Sequence, residues 1–302
     1  MHLPILNVHN WQVRSAGCVS GVVGYIGRAF AEAVFPQKCR GCGTYWSSGS
    51  QSLSIRDRDP AVLAKAAGLV DVFKTVTLPF LCPDCITSFE AIASPLCVRC
   101  GVMFQSRVGE DHLCSDCMRR PAKLRYARAA GVYSGALMAL VHQLKYRAAL
   151  ALVGPLGRLL QEAFRCHWQP DEVDVVLPIP LHPRRLRQRG FNQAQMLVDA
   201  WANAGREGNR DWQRFPTARE VIVRSRPTAP QTGLGKPERR RNIRHAFTVV
   251  DRDTVQGCRV LLVDDVYTTG ATVEEAAREL KRNGADCVDV LTVARTMPHA
   301  GW

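Results

Sequence analysis

Between Arg259 and Thr272 the chain reads RVLLVDDVYTTGAT: an apolar run ends in two acids, a Thr-Thr-Gly turn follows, and a helical pattern begins. A strand that turns directly into a helix points backbone N–H groups and the positive end of the helix dipole at one spot, which suits a phosphate. Thr268, Thr269 and Thr272 add hydroxyl donors. Asp264 and Asp265 fall at the carboxyl end of the strand, where open α/β sheets take their ligands. Carboxylates there would repel the phosphate itself, so their natural partners are ribose hydroxyls and an associated magnesium ion.

A second chemistry lies upstream. Four Cys-x-x-Cys pairs follow one another: Cys39/Cys42, Cys82/Cys85, Cys97/Cys100 and Cys114/Cys117. One such pair sets two thiolates on one metal from a tight turn, and two pairs complete a tetrahedral site. Eight thiolates therefore predict two closed, structural zinc sites, paired sequentially or interleaved. Glycines at 41, 43 and 101 suit the close approach of backbone to thiolate. Cys18, Cys166, Cys258 and Cys287 stand outside this spacing and read as ordinary buried residues.

The third feature is charge. Lys and Arg outnumber Asp and Glu by 40 to 27, for a net +13 in 302 residues, which calls for an anionic partner: nucleic acid, an acidic membrane surface or a phosphate-rich small molecule. Arg184, Arg185, Arg187 and Arg189 lie within six residues in the loop that follows a strand ending at Pro180, and Lys236, Arg239, Arg240, Arg241 and Arg244 within nine. Arginine forks match pyrophosphate oxygens, and Lys145 with Tyr146 is placed to contribute. The same cations would track a single-stranded nucleic acid, with Phe191 and Tyr267 as stacking rings.

The elements that position these residues follow from periodicity. An apolar content of 46% is ample for a core. Val22, Val23, Ile26, Phe30, Ala33 and Val34 recur at helical spacing and Pro36 stops the pattern, so residues 1–36 hold an amphipathic helix. Arg28 and Glu32 interrupt this stretch and no basic cluster precedes it, which argues against an export signal or a membrane span and for a cytoplasmic, reducing setting in which Cys pairs bind metal. Residues 37–120 form a double zinc ribbon, with an insert at 44–80 that is partly helical around Ala61 to Phe73. Residues 121–302 alternate: strands at Tyr126–Tyr133, Val173–Pro180, Val221–Arg224, Arg259–Asp264 and Cys287–Ala294, helices at 135–147, Leu150–Phe164, Asn192–Ala204 and Thr272–Asn283. Ser134 is the cap of the first of these helices. Such alternation predicts an α/β domain with a parallel sheet flanked by helices.

The segment 259–272 resembles the phosphoribosyltransferase signature: apolar residues, two acids, two variable residues, Thr-Thr-Gly, a small residue and Thr. The resemblance implies a type I phosphoribosyltransferase-like fold. It also implies that Thr268, Thr269, Gly270, Ala271 and Thr272 hold the 5′-phosphate of phosphoribosyl pyrophosphate, with Asp264 and Asp265 on its 2′- and 3′-hydroxyls. Purine-salvage members carry an aspartate base at the position of Thr268, which threonine cannot replace near neutral pH, so an orotate-like or amine acceptor is expected instead.

A wider resemblance rests on LPIPLHPRRLRQRGFNQAQML (177–197), RSRPTAPQTGLGKPERRRNIRHAF (224–247) and the Cys pairs. These are similar to the ComF family, which includes ComFC and GntX. The resemblance implies cytoplasmic bacterial proteins with a zinc-ribbon head, linked to uptake of transforming DNA, with single-stranded DNA and competence or recombination proteins as partners. Members are often named amidophosphoribosyltransferase-like; the glutamine-using enzyme needs an N-terminal cysteine nucleophile, whereas residue 2 is His2 and the first cysteine is Cys18, so no glutaminase is expected. Two functions follow from these readings. One is a magnesium-dependent transferase of phosphoribosyl groups, working by positioning the leaving pyrophosphate. The other is a non-catalytic module that senses the nucleotide precursor while its basic face holds single-stranded DNA.

Overall fold

A computed structural model describes residues 37–46, 60–106, 108–204, 216–228 and 235–297. The expected helix within residues 1–36 and the Gln-Thr-Gly-Leu string at 231–234 lie outside the described residues. In chain order the elements are β1 (Gln37–Lys38), β2 (Tyr45–Trp46), α1 (Pro60–Thr77), α2 (Pro83–Thr87), α3 (Ser115–Met118), β3 (Ala127–Val132), α4 (Gly135–Arg147) and α5 (Val153–His167). They continue with β4 (Val175–Pro178), α6 (Pro183–Arg189), α7 (Gln193–Ala204), β5 (Ile222–Arg224), α8 (Lys236–Ile243), β6 (Phe247–Val249), β7 (Arg259–Tyr267), α9 (Ala271–Arg282) and β8 (Cys287–Arg295).

Four strands form a wholly parallel sheet in the order β3-β8-β7-β4. The continuous apolar runs in β7 and β8 have a physical reason: both faces of the sheet are covered. Leu261, Val263, Leu291 and Val293 face a layer built from α4, α5 and α7, whereas Val260, Leu262, Val288 and Val290 face α9 with Ile243 and Phe247. The open edges are padded as well. Ile92 and Val132 exchange backbone bonds with Ala130 and Glu90 along β3, and residues 216–218 do the same along β4 at Val176. Neither outer strand is left as a bare template for another chain.

Three local expectations change. The 221–224 strand does not join the parallel sheet: β5 pairs antiparallel with β6, a three-residue strand too short to show in the apolar pattern. Ser134 precedes α4 in an extended conformation without a side-chain capping bond. The basic run 184–189 is a helix rather than a loop, started by Pro183 and by His182, whose Nδ1 accepts from the Arg184 N–H at 3.2 Å.

The insert contributes to the core. Its helix α1 lies on α5, with Leu69 and Phe73 buried and the Phe73 and Phe89 rings stacked at 4.0 Å. Among the described residues no helix is long and apolar enough to cross a membrane.

Candidate ligand site and metal centres

The acids and the Thr-Thr-Gly turn stand together at the carboxyl end of the sheet. β4 stops at Pro178, opposite Val263, so beyond that point β7 keeps only β8 as a strand neighbour; of its next residues Asp264 is partly exposed and Asp265 is buried. β7 itself runs on to Tyr267, three residues further than the apolar pattern suggests, because its backbone stays registered with β8 up to Arg295. The turn is shaped by Gly270, which precedes α9 at φ +76°; a Cβ there would also sit 2.7 Å from Cζ of Tyr267. The Ala271 N–H donates to Thr269 Oγ1 at 3.4 Å.

Lys145, in the last turn of α4, reaches this end of the sheet and places Nζ 2.9 Å from Asp265 Oδ2. Burial opposes its charge, but Asp265 and Asp264 outweigh burial and hold the ammonium above lysine's ordinary range. Asp264 has the opposite balance. Part of its surface meets solvent, yet protein packed around it and then the neighbouring Asp265 push its carboxyl up to about 8, with Lys145 only partly offsetting this. Two adjacent carboxyl groups and one lysine therefore leave an acid that is short of a cation.

An arginine on β5 senses the charge of Asp264, and one on α6 senses that arginine. Arg224 is buried, its guanidinium over the Phe247 ring and bonded to Thr228. Burial, then the nearby Arg185 charge, pull it down to about 10 against the attraction of Asp264. Arg224 was not legible as a site residue, because its place depends on β5 folding back onto β6. Among the other basic candidates, Arg184 and Arg187 are exposed, and Arg189 donates to Gln193 at 2.6 Å. Arg240 is 3.5 Å from Glu274 on α9, Arg239 is also engaged, and Arg241 is exposed.

Of the two expected stacking rings, one is closed off and the other partly covered. Tyr267 is buried beneath Arg295 and Phe191 packs against the core. An exposed ring in this region is Tyr146, 67% exposed, with the Arg189 guanidinium 5.7 Å from its centre.

The eight cysteines gather as two groups, Cys39/Cys42/Cys82/Cys85 and Cys97/Cys100/Cys114/Cys117, each with its sulfurs within 4.8 Å of one another. The pairing is thus sequential, and the 44–80 insert leaves the first group closed. The surroundings suit thiolate ligands of a metal. In the first group the N–H groups of Gly41 and Cys82 donate to Cys39 Sγ at 3.3 and 3.2 Å, and a Cβ on Gly41 would come 2.7 Å from Cys85 Sγ. In the second, the Cys114 and Cys100 N–H groups donate to Cys97 Sγ at 3.3 and 3.5 Å. The Cys100 thiol, despite burial, and then these N–H groups hold Cys97 down at about 4, while Cys97 and burial drive Cys100 far above the thiol range. Four sulfurs this close cannot all ionise without a cation between them, which is the condition a tetrathiolate zinc meets. Both groups fit a double zinc ribbon. Cys166, Cys258 and Cys287 are half-buried rather than buried, and Cys18 lies outside the described residues.

A parallel sheet covered on both faces, with an acid pair and a Thr-Thr-Gly turn at its carboxyl end, defines a phosphoribosyltransferase-like α/β domain. The profile described as "Phosphoribosyl transferase domain" matches residues 219–300. The DNA utilization protein YhgH of Salmonella typhi is 34% identical over 222 residues, spanning 72% of this chain and 91% of that protein. Competence protein F of Haemophilus influenzae is 29% identical over 71% of this chain and 90% of its own length. Competence protein ComFC of Bacillus subtilis is 25% identical over 72% and 84%. The chain belongs to the ComF family, and it carries its phosphoribosyltransferase domain behind paired four-cysteine groups.

Proposed function

We propose that this is a cytoplasmic protein that binds phosphoribosyl pyrophosphate with Mg²⁺ and serves in the uptake or use of DNA, with two structural zinc ions holding its N-terminal half. The observation that carries the reading is the acid pair beyond the end of β4: Asp265 is buried against Lys145, while Asp264 is partly exposed and short of a cation of its own. In this reading the two carboxylates take the ribose hydroxyls, and the turn from Thr268 through Thr269, Gly270 and Ala271 to Thr272 takes the 5′-phosphate. Arg185 and Arg224 face the pyrophosphate, and Lys145 holds Asp265 in place until the donor arrives. The Mg²⁺ that accompanies the donor supplies the positive charge that Asp264 needs in order to ionise. The names of the relatives, which speak of DNA utilization and competence, support the biological setting.

Phosphoribosyl pyrophosphate with Mg²⁺ is expected to raise the melting temperature by ligand linkage, and Asp264→Asn combined with Asp265→Asn to abolish the rise. Equal stabilisation of variant and wild type would refute this pocket. Transfer to an orotate-like or amine acceptor would show as acceptor-dependent release of pyrophosphate.

A second reading, single-stranded DNA on the basic face, is favoured by the exposed Tyr146 ring beside Arg189. An aromatic plane flanked by cations is the arrangement that stacks bases while tracking a backbone. The exposed Arg184 and Arg187 extend that surface.

A further inference from the structure

The second four-cysteine group is joined to the phosphate-binding turn through one residue. Arg295, at the end of β8, is only 7% exposed, and its Nη2 donates to Cys100 Sγ at 3.4 Å. Its guanidinium carbon lies 4.3 Å from the centre of the Tyr267 ring, its partner across the β7/β8 ladder. Tyr267 in turn fills the space against Gly270, so the ring helps to set where the turn begins. Among the described residues no carboxylate pairs with Arg295, and its buried Nε and Nη1 have no hydrogen-bond partner.

A buried guanidinium without an anion is costly. The anion at hand is the thiolate cluster: a divalent cation held by four thiolates keeps a net negative charge, and Arg295 touches one of its sulfurs. We propose that Arg295 is the counter-cation of the second tetrathiolate zinc centre and, through Tyr267, makes that centre a positioning element of the phosphate-binding turn. Among the described residues no arginine bonds a sulfur of the first four-cysteine group; it packs with Leu69, Phe73 and Leu81, and Arg40 within it bonds Gln143. The two metal centres therefore differ in role although their ligands are alike. The link to ligand binding rests on the assignment of the turn to the 5′-phosphate, whereas the link between Arg295 and the metal does not.

The test is zinc release to a chromogenic chelator, followed for both ions in wild type and in Arg295→Met. Outer-sphere partners of metal ligands change affinity by about 10- to 100-fold, so one of the two ions should leave at least about 10-fold faster while the other keeps its wild-type rate. Should Arg295→Met not fold, Arg295→Lys carries the comparison, because it keeps the cation but loses the planar contact with ring and sulfur. Wild-type release of both ions from a folded variant would overturn the proposal. The coupling is read in the wild-type protein: phosphoribosyl pyrophosphate with Mg²⁺ should slow release of that same ion alone. A ligand that raises the melting temperature yet leaves both release rates unchanged would overturn the coupling. A ligand that raises neither would instead refute the pocket, leaving the Arg295–zinc contact to be judged by the variants.

Discussion

The two four-cysteine groups are built from the same pairs of thiolates, yet they meet the rest of the molecule differently. The first joins the core on the α4–α5 face: Cys39 and Cys82 are buried beside Leu69, Phe73 and Leu81, Arg40 Nη1 donates to Gln143 Oε1 at 2.9 Å, and only Cys42 is exposed. The second is woven into the sheet. Ala127 N–H donates to the Arg99 carbonyl at 2.7 Å, Arg128 Nη1 donates to the Val98 carbonyl at 3.1 Å, and Arg295 bonds Cys100. The contrast teaches that ligand spacing fixes a metal site but not its task. Task is decided by what packs on the sulfurs.

The largest effect should come from opening the second group. A structural zinc contributes on the order of 10 kcal/mol to a small module, and about 1 kcal/mol moves the melting temperature of a chain this size by roughly 2 °C. Replacing Cys97 and Cys100 by Ser should thus lower it by about 10 °C or more, since the β3 edge loses its cover as well. Cys42→Ser, at the exposed corner of the first group, should cost less than half of that, because α1 continues to hold Cys39 and Cys82 in place. Scanning calorimetry with zinc analysis of each variant checks the order, and the reverse order would break the comparison.

A smaller effect sharpens it from the ligand side. The folded-state value of Asp264, about 8, lies above the ordinary 3.8, so the native protein keeps a proton that the unfolded chain has already lost. Stability of the ligand-free protein should then fall as pH rises from about 4 to about 8 and level off beyond that. Asp264→Asn cannot ionise, so its advantage over wild type should be near zero at pH 4 and reach about 3 °C or more at pH 8. A constant difference across the range would show that Asp264 is ionised before any ligand arrives.

These contrasts also show what could be read from the sequence. The four-cysteine groups and the turn were legible because their chemistry is local: each Cys pair spans four residues, and the acids, threonines and glycine fall within the nine residues 264–272. The parallel sheet was legible through the buried runs of β7 and β8. What was hidden depends on long-range pairing. Arg224 takes its place on the Asp264 side only because β5 folds onto β6, and Arg295 reaches Cys100 from 195 residues away. Tyr267 looked available for stacking until the β7/β8 register set Arg295 over it.

The smallest expected effect separates the two basic helices. Each phosphate neutralised on a single strand adds about 0.7 to the log–log salt slope, so Arg184/Arg185/Arg187→Ala on α6 should flatten it by roughly two. The triple change Arg239/Arg240/Arg241→Ala should flatten it by less than about one, since Arg240 is held by Glu274 and Arg239 is engaged. Titration of a labelled single-stranded oligonucleotide at several salt concentrations measures both, and equal slopes in all three proteins would remove DNA from this face.

The central claim is that the acid pair and the Thr-Thr-Gly turn form a site for phosphoribosyl pyrophosphate, and titration calorimetry tests it most directly. Wild type is expected to show saturable, Mg²⁺-dependent binding at one site per chain, displaced by pyrophosphate and by ribose 5-phosphate, and absent from the Asp264→Asn/Asp265→Asn protein. The same heat of binding in wild type and double variant, or no heat in either at millimolar ligand, would contradict it.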